Sequence, residues 1–269
     1  MISQVIAESL NSHSEQMEVL YRRKNLVSTY ATAKLLPPEA ATFIRYRDDF
    51  VDRRVLDLGC GAGRLAIYLC PLVTHYTGID ISTYMVEHCR GEFPDCEFIE
   101  GDMRNLSVFP TGSFDSILAV SNLFDAFTHA ERLQVLSEVR RVLIPRGLLY
   151  FSAHNRNFAD AGKGPQLERH RNPVTQLRSL IDYWQAVANH RRLKPQQKWE
   201  EDFAILNDSG NNYASFHYYI SRNAQLQQLS VAGFQTLVCF DRHGKTLANS
   251  ADDTNDPSIH YIARSSLIT

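Results

Sequence analysis

The 269-residue sequence has no run of about 18 apolar residues, so it offers no membrane-spanning helix. It has little net charge, −2 at pH 7, which argues against a global attraction to nucleic acid or to a membrane surface and leaves room only for local patches. The five cysteines, Cys60, Cys70, Cys89, Cys96 and Cys239, include no CxxC pair and read as reduced thiols of a cytoplasmic protein. No metal-ligand spacing is present, so no metal site is expected. The opening "MISQVIAESLNSHSEQ" lacks the basic start and apolar core of a secretory leader. No internal repeat and no low-complexity segment interrupts the chain.

What the sequence has is an alternation of short apolar strands and amphipathic helices. Residues 1 to about 50 read as helices, with Pro37-Pro38 breaking them and "EAATFIRYRDDF" following as an amphipathic helix. Strands follow at "RRVLDLG", "HYTGIDIS", "CEFIEGDM", "FDSILAVSNLF" and "LLYFSAHN". Helices stand between them at "GRLAIYLCPLV", at "TYMVEHCRGEF" capped by Ser82, and at "HAERLQVLSEVRRVL". The fourth strand is apolar on both faces, as in a parallel sheet covered by helices, and Pro145-Arg146-Gly147 reads as a turn before the fifth. The pattern predicts a three-layer α/β sandwich with right-handed crossovers.

The alternation is lost from about Asn155 to Asn212, which contains no strand-like run and reads as a partly helical insertion over the sheet. Between residues 163 and 198 it holds eight Lys or Arg against two acids, Glu168 and Asp182. It then resumes with the strand "SFHYYI", a helix capped by Ser221 and stopped by Gly233, the strand "FQTLVCF" and the strand "SIHYIARS", the last two spaced for an antiparallel pair. The expected organisation is a helical cap (1–50), a cofactor-binding core (51–154), an insertion or lid (155–213) and the rest of the core sheet (214–269).

"VLDLGCGAGR" places glycines at 59, 61 and 63 between a strand and a helix. Such density serves a turn that a Cβ would forbid and a ligand that approaches the backbone at a helix N-terminus. Gly61 to Ala66 fits the dinucleotide pattern GxGxxA, which by itself leaves a nicotinamide-dependent oxidoreductase open. Three acids at successive strand ends weigh against it. Asp57 would oppose a pyrophosphate and suits an ammonium group. Asp80, 23 residues on, stands where an acid takes ribose hydroxyls, and Asp102 where an adenine amino group is read. Helix or turn capping is the structural alternative for Asp80 and Asp102. Together the acids describe a ligand with a sugar, a base and a positive charge, and no phosphate.

In order, "VLDLGCGAGRLAIYL", "GIDIS", "EGDM", "FDSILAVSNLF" and "LIPRGLLYFSAHN" resemble the successive motifs of class I S-adenosylmethionine-dependent methyltransferases. The resemblance covers residues 50 to 154 and continues in "YYISRNAQLQQLSVAGFQ". It implies a seven-stranded, mostly parallel sheet with the last strand antiparallel, and S-adenosyl-L-methionine as cofactor with S-adenosyl-L-homocysteine as product. By the same resemblance Gly59, Gly61 and Gly63 lie beside the methionine part, Asp57 near its amino group, and Asp80 on the ribose. Ile81 and Met103 would flank the adenine that Asp102 reads, with Ser121 and Asn122 near the sulfonium. Tyr30, or Tyr21, would fold over the methionine end, as the N-terminal region does in relatives. Asp115 reads as a structural acid at a strand start.

Methyl transfer is an in-line displacement that needs alignment and dryness, and a base only if the nucleophile must lose a proton. His154, ending the fifth strand, and His217, sharing a strand face with Tyr219, are the candidate catalytic residues; hydrogen-bonded structural histidines are the alternative. Asn155 and Arg156 are candidates for an anionic acceptor. Trp184, Trp199, Phe203 and Tyr213 are candidates for an aromatic lid. The expected function is transfer of a methyl group to O or N of a small-molecule acceptor by a monomer or homodimer. An RNA or protein methyltransferase using the basic insertion and a non-catalytic cofactor sensor are the alternatives, although no aromatic-interleaved basic stripe of the RNA-binding type is present.

Overall fold

In the computed structural model, which describes residues 34–267 together with Glu15 and Arg22, the chain is built around strand β1, Arg54–Leu58. Tyr21 and Tyr30 lie outside the described residues. Four of the five β1 residues are buried, as a central strand covered on both faces requires. It pairs in parallel with β2 (His75–Asp80) on one side and β4 (Phe114–Ala119) on the other. β3 (Glu97–Glu100) adds outside β2, and β5 (Leu143–Asn155) outside β4. Beyond β5 runs β10 (Ser258–Ser265), antiparallel to it, and β9 (Phe234–Phe240) pairs antiparallel with β10. These seven strands form the expected mostly parallel sheet, with the last strand antiparallel. The closing pair β9 and β10 is the expected hairpin.

Side-chain alternation sends Leu56, Leu58, Leu149 and Phe151 into one core and Val55, Leu148 and Tyr150 into another. Helices α4 (His129–Val142) and α6 (Arg222–Val231) cover the first. Helices α1 (Pro37–Arg45), α2 (Ala66–Leu69) and α3 (Thr83–Glu92) cover the second. Thr128 and Glu131 form a reciprocal cap at the start of α4, and the Ser221 hydroxyl accepts from the Ala224 N–H at the start of α6. Ser82 does not cap α3 with its side chain; the Asp80 carboxylate accepts from the Ser82 N–H instead.

The segment 155–213 departs from expectation. Besides α5 (Pro173–Leu193) it contains two strands, β6 (Lys198–Trp199) and β7 (Phe203–Asn207). β8 (Phe216–Ile220), expected to resume the core sheet, pairs antiparallel with β7. Its reason lies in β5. β4 follows β5 only as far as Phe151, while β10 stays paired with it to His154. The edge that β4 leaves is taken by β8 at His154 and Asn155. A three-stranded antiparallel unit therefore rises from the carboxyl end of the sheet. Pro145-Arg146-Gly147 is absorbed into β5 as an irregularity, with Arg146 at φ 63°, rather than preceding the strand.

The cysteines also depart from expectation: Cys70 and Cys96, 26 residues apart, are joined as a disulfide, while Cys60, Cys89 and Cys239 are free and buried. Cys70 follows α2 and Cys96 precedes β3, a proximity that only the folded chain creates.

Candidate active site

The strand order reverses between β1 and β4, and open α/β sheets bind ligands in the crevice at the carboxyl ends beside such a reversal. A cavity of about 1050 Å³ opens there, lined by the glycine loop, the ends of β2 to β5, and the 155–213 segment. Gly61 adopts φ 53°, and a Cβ built on it would meet no protein atom within 4 Å; the space belongs to the cavity. Gly63 adopts φ 80°, and its Cβ would stand 2.5 Å from Phe93 Cε2, so here glycine serves packing against α3. Gly59, at φ 60°, lets Leu123 pack on the loop.

Asp57 is 1% exposed. The Tyr76 hydroxyl donates to its Oδ2 at 2.6 Å, while Oδ1 has no hydrogen-bond partner among the described residues. Burial pushes its carboxyl up to about 7, against the opposing effects of the Tyr76 bond and Arg64. Arg64 makes a two-pronged ion pair with the fully buried Glu39 of α1, at 2.6 and 2.8 Å, and reaches Ser121 Oγ at 3.3 Å. This clamp fixes α1 against the loop.

Asp80 ends β2, where Oδ2 accepts from Gly61 N and Oδ1 from Ser82 N, both at 2.9 Å. Burial raises its carboxyl above the ordinary range, and these backbone donors oppose the rise. The capping alternative is therefore realised; each oxygen still has a lone pair for a ligand hydroxyl. Ile81 and Met103 line the same wall. Asp102 reaches the cavity too, and Arg104 donates to both its oxygens, from its backbone N and its Nε at 2.8 Å, leaving lone pairs for a ligand donor. Arg104 also holds Glu131 of α4 at 2.6 Å. Sequence reading missed Arg104, though a cation two residues after an acid is a signal for a local pair.

Ser121 and Asn122, at the end of β4, both have left-handed backbone, φ 60° and 56°, a conformation that non-glycine residues keep only when their surroundings enforce it. Ser152 accepts from Asn122 N, and the Asn122 side chain donates to Ser258, each at 2.8 Å. The pair is thereby held at the junction between the glycine loop and the outer half of the cavity.

His154 and His217 both line that outer half, their ring centroids 5.3 Å apart. His217 and Tyr219 share the cavity face of β8, and Tyr218 lies in the core behind. Asp208 joins them: His217 Nδ1 stands 2.9 Å from its Oδ1, and the Tyr219 hydroxyl donates to its Oδ2 at 2.6 Å. Burial would raise the Asp208 carboxyl, but His217, His154 and Tyr219 outweigh it and hold it well below the carboxylate range. Behind His154 lies Asp125, fully buried, whose Oδ2 accepts the His154 backbone N–H at 2.6 Å and stands 2.9 Å from Nδ1. Arg132, also fully buried, donates to Asp125 Oδ1 at 2.6 Å. Burial alone would lower the His154 imidazole; Asp125 and Asp208 raise it above its ordinary value. The shared face of His217 and Tyr219 was legible in sequence; Asp208, Asp125 and Arg132 were not.

Other expectations fail here. Asn155 is buried and donates to the carbonyls of Asp253 and Asp256, and Arg156 donates to the carbonyls of Glu200 and Glu201, so neither faces an acceptor. Trp184 and Trp199 are exposed, 62% and 54%, and Phe203 stacks on His129; of the four candidate lid aromatics only Tyr213 lines the cavity. The outer wall is polar because α5 presents Thr175, Arg178, Ser179 and Asp182 to it. Among the described residues no group of three or more His, Cys, Asp or Glu is arranged to hold a metal, and no helix is long and apolar enough to cross a membrane.

This fold, with its glycine loop and acid-ended strands at the sheet reversal, defines a Rossmann-like domain for a nucleoside-bearing ligand. Residues 55–147 of the chain match the family described as "Methyltransferase domain". The Escherichia coli K12 trans-aconitate 2-methyltransferase is 29% identical over 154 residues, covering 51% of this chain and 60% of that protein. The Bacillus subtilis protein YqeM is 31% identical over 106 residues, covering 38% and 42%. The chain thus spans three fifths or less of these curated relatives. A methyltransferase structure from Clostridium acetobutylicum superposes with a TM-score of 0.60 at 14% identity, covering 94% of this chain and 98% of that one. The Burkholderia thailandensis 1,6-didemethyltoxoflavin-N1-methyltransferase, solved with S-adenosylhomocysteine, gives 0.59 at 13%, covering 96% and 92%. At these identities the two structures attest the fold. The family match ends at residue 147, before both histidines.

Proposed function

We propose that the protein transfers a methyl group from S-adenosylmethionine to O or N of a small-molecule acceptor. The buried Oδ1 of Asp57, unpartnered among the described residues, carries this reading, because a buried carboxylate oxygen without a donor calls for a cationic ligand. The open space over Gly61 fits the cofactor backbone-close, and the carboxylate fits its ammonium. When bound, the cofactor supplies a methyl carbon already activated by the sulfonium. The chain's own residues then orient it: Asp80 takes the ribose hydroxyls, Ile81 and Met103 flank the adenine, and Asp102 reads its amino group beside Arg104. Ser121 and Asn122 set the transfer point. The residues 155–213 and β8 close the acceptor half, where His154 and His217 are the catalytic residues. The small-molecule class is supported by a cavity of about 1050 Å³ and by the relatives, whose names specify trans-aconitate and 1,6-didemethyltoxoflavin.

The Asp57 carboxyl sets a pH dependence. Raised to about 7, it is largely protonated at pH 6 in the free protein, yet the ammonium requires it ionised. Binding therefore releases a proton below about pH 7, and affinity rises with pH up to tenfold per unit. Above about pH 7 the carboxyl is ionised and affinity levels off. Calorimetry with S-adenosylhomocysteine from pH 5.5 to 8.5 is expected to show this rise and plateau, and Asp57→Asn to remove the rise. A flat wild-type profile contradicts the assignment of Asp57 to the ammonium.

A further inference from the structure

Two imidazoles share the outer cavity, and their partners differ. Asp208 Oδ1 accepts from Gly210 N at 2.8 Å and lies 2.9 Å from His217 Nδ1; Oδ2 accepts from Tyr219. An ionised carboxylate only accepts, so His217 Nδ1 must donate. In a neutral ring that leaves Nε2 with its lone pair, and Nε2 makes no hydrogen bond among the described residues. Three contacts on one carboxylate thus fix both the tautomer and the tilt of the ring. His154 is held differently. Its Nδ1 is near Asp125 but out of line for a hydrogen bond, and Arg132 shares that carboxylate.

We infer that the acceptor's reacting atom is a hydroxyl oxygen, of a phenol or an alcohol, whose proton passes to His217 Nε2, with Asp208 and Tyr219 as positioning residues. The inference rests on the methyl-transfer reading above and narrows it. As the acceptor oxygen bonds to the methyl carbon, the carbon–sulfur bond opens and its electron pair remains on sulfur. The O–H bond breaks, its electron pair stays on oxygen, and the proton goes to His217, whose side chain is 10% exposed and returns it to solvent. The products are a methyl ether, S-adenosylhomocysteine and a proton.

A carboxylate acceptor would need no base, and it would face the Asp208 carboxylate on the cavity wall. Of the cations on the outer wall, Lys163 is paired with Asp160, and Arg178 stands on α5 with an exposed side chain. The other titratable groups lining the same cavity include His154, Tyr219, Tyr213, His170, Glu168 and Asp182.

The test has an acceptor-free arm and a turnover arm. ¹⁵N imidazole NMR of the full chain with S-adenosylhomocysteine is expected to show His217 as the Nδ1–H tautomer when neutral, and a mixture of tautomers in Asp208→Asn. An Nε2–H tautomer in the wild type overturns the inference. For turnover, S-adenosylhomocysteine release is followed with matched probes, monohydroxy phenols against benzoic acids. Transfer is expected to the phenols. His217→Ala should lower kcat about a hundredfold and Asp208→Asn about thirtyfold, with phenol KM within threefold and the acid limb of the pH profile moved. Tyr219→Phe should fall between Asp208→Asn and the wild type. Transfer to the benzoic acids alone, or an Asp208→Asn variant with unchanged kcat and pH profile, overturns the inference and leaves methyl transfer standing. Failure of S-adenosylhomocysteine to bind in the first arm removes the methyl-transfer reading itself.

Discussion

Gly61→Ala is expected to weaken S-adenosylhomocysteine binding about a hundredfold while costing the fold only about 1–2 kcal/mol of left-handed backbone strain. The added methyl meets nothing in the protein within 4 Å, so whatever it displaces is ligand. Gly63→Ala supplies the contrast. It carries the same strain, and its Cβ falls 2.5 Å from Phe93 Cε2 and 3.2 Å from Cys89 Sγ, so it adds about 1–3 kcal/mol of overpacking. Urea unfolding with parallel calorimetry separates the two variants. Equal losses of binding and stability in both would mean that the loop is a turn and no more.

Arg132→Met is expected to destabilise the protein by about 3–5 kcal/mol, because it leaves the Asp125 carboxylate buried without its cation. Both side chains are fully buried. Arg132 is also held by Gln228 Oε1 at 3.1 Å and by Gln225, and lies 4.8 Å over the Tyr218 ring. The Asp125→Asn, Arg132→Met double variant should recover part of the loss, since the uncompensated charge goes with the second change. The array also seats His154, so turnover should fall in Arg132→Met more than cofactor affinity does. An unfolding midpoint close to wild type would show that the pair is not the buried anchor of the acceptor wall.

How these groups escaped the sequence is physical. In α4 side-chain polarity argues for Leu133 in the core and Arg132 in solvent, while the helical spacing of position 132 with Val135, Leu136 and Val139 puts it on the buried face. The fold follows the spacing, with Leu133 42% exposed and Arg132 fully buried, because Asp125 and, from α6, Gln225 and Gln228 come from separate places in the chain to receive the guanidinium. Asp208 likewise meets His217 and Tyr219 across a strand pairing that was not foreseen. The run Phe203–Asn207 was a signal of that strand, short and apolar, hidden among the prolines and charges of the insertion. By contrast β1, β2, β4 and β5 were plain, since strands buried on both faces announce themselves as apolar runs. The glycines and Asp57, Asp80 and Asp102 were plain too, because a loop between strand and helix fixes what stands at each strand end. Their local partners were less so: a strand-end acid shows its place in the sequence, while the backbone donors on Asp80 and the Arg104 guanidinium on Asp102 appear only in the folded turn. The cofactor half of the site is thus a local pattern, and the acceptor half is a tertiary one.

The central claim is that the crevice between β1 and β4 binds a sulfonium nucleoside, and parallel calorimetric titration of the protein with S-adenosylmethionine, S-adenosylhomocysteine and NAD at pH 7.5 tests it most directly. Saturable binding of the first two and none of NAD is the predicted result. Binding of NAD, or of none of the three, would contradict it.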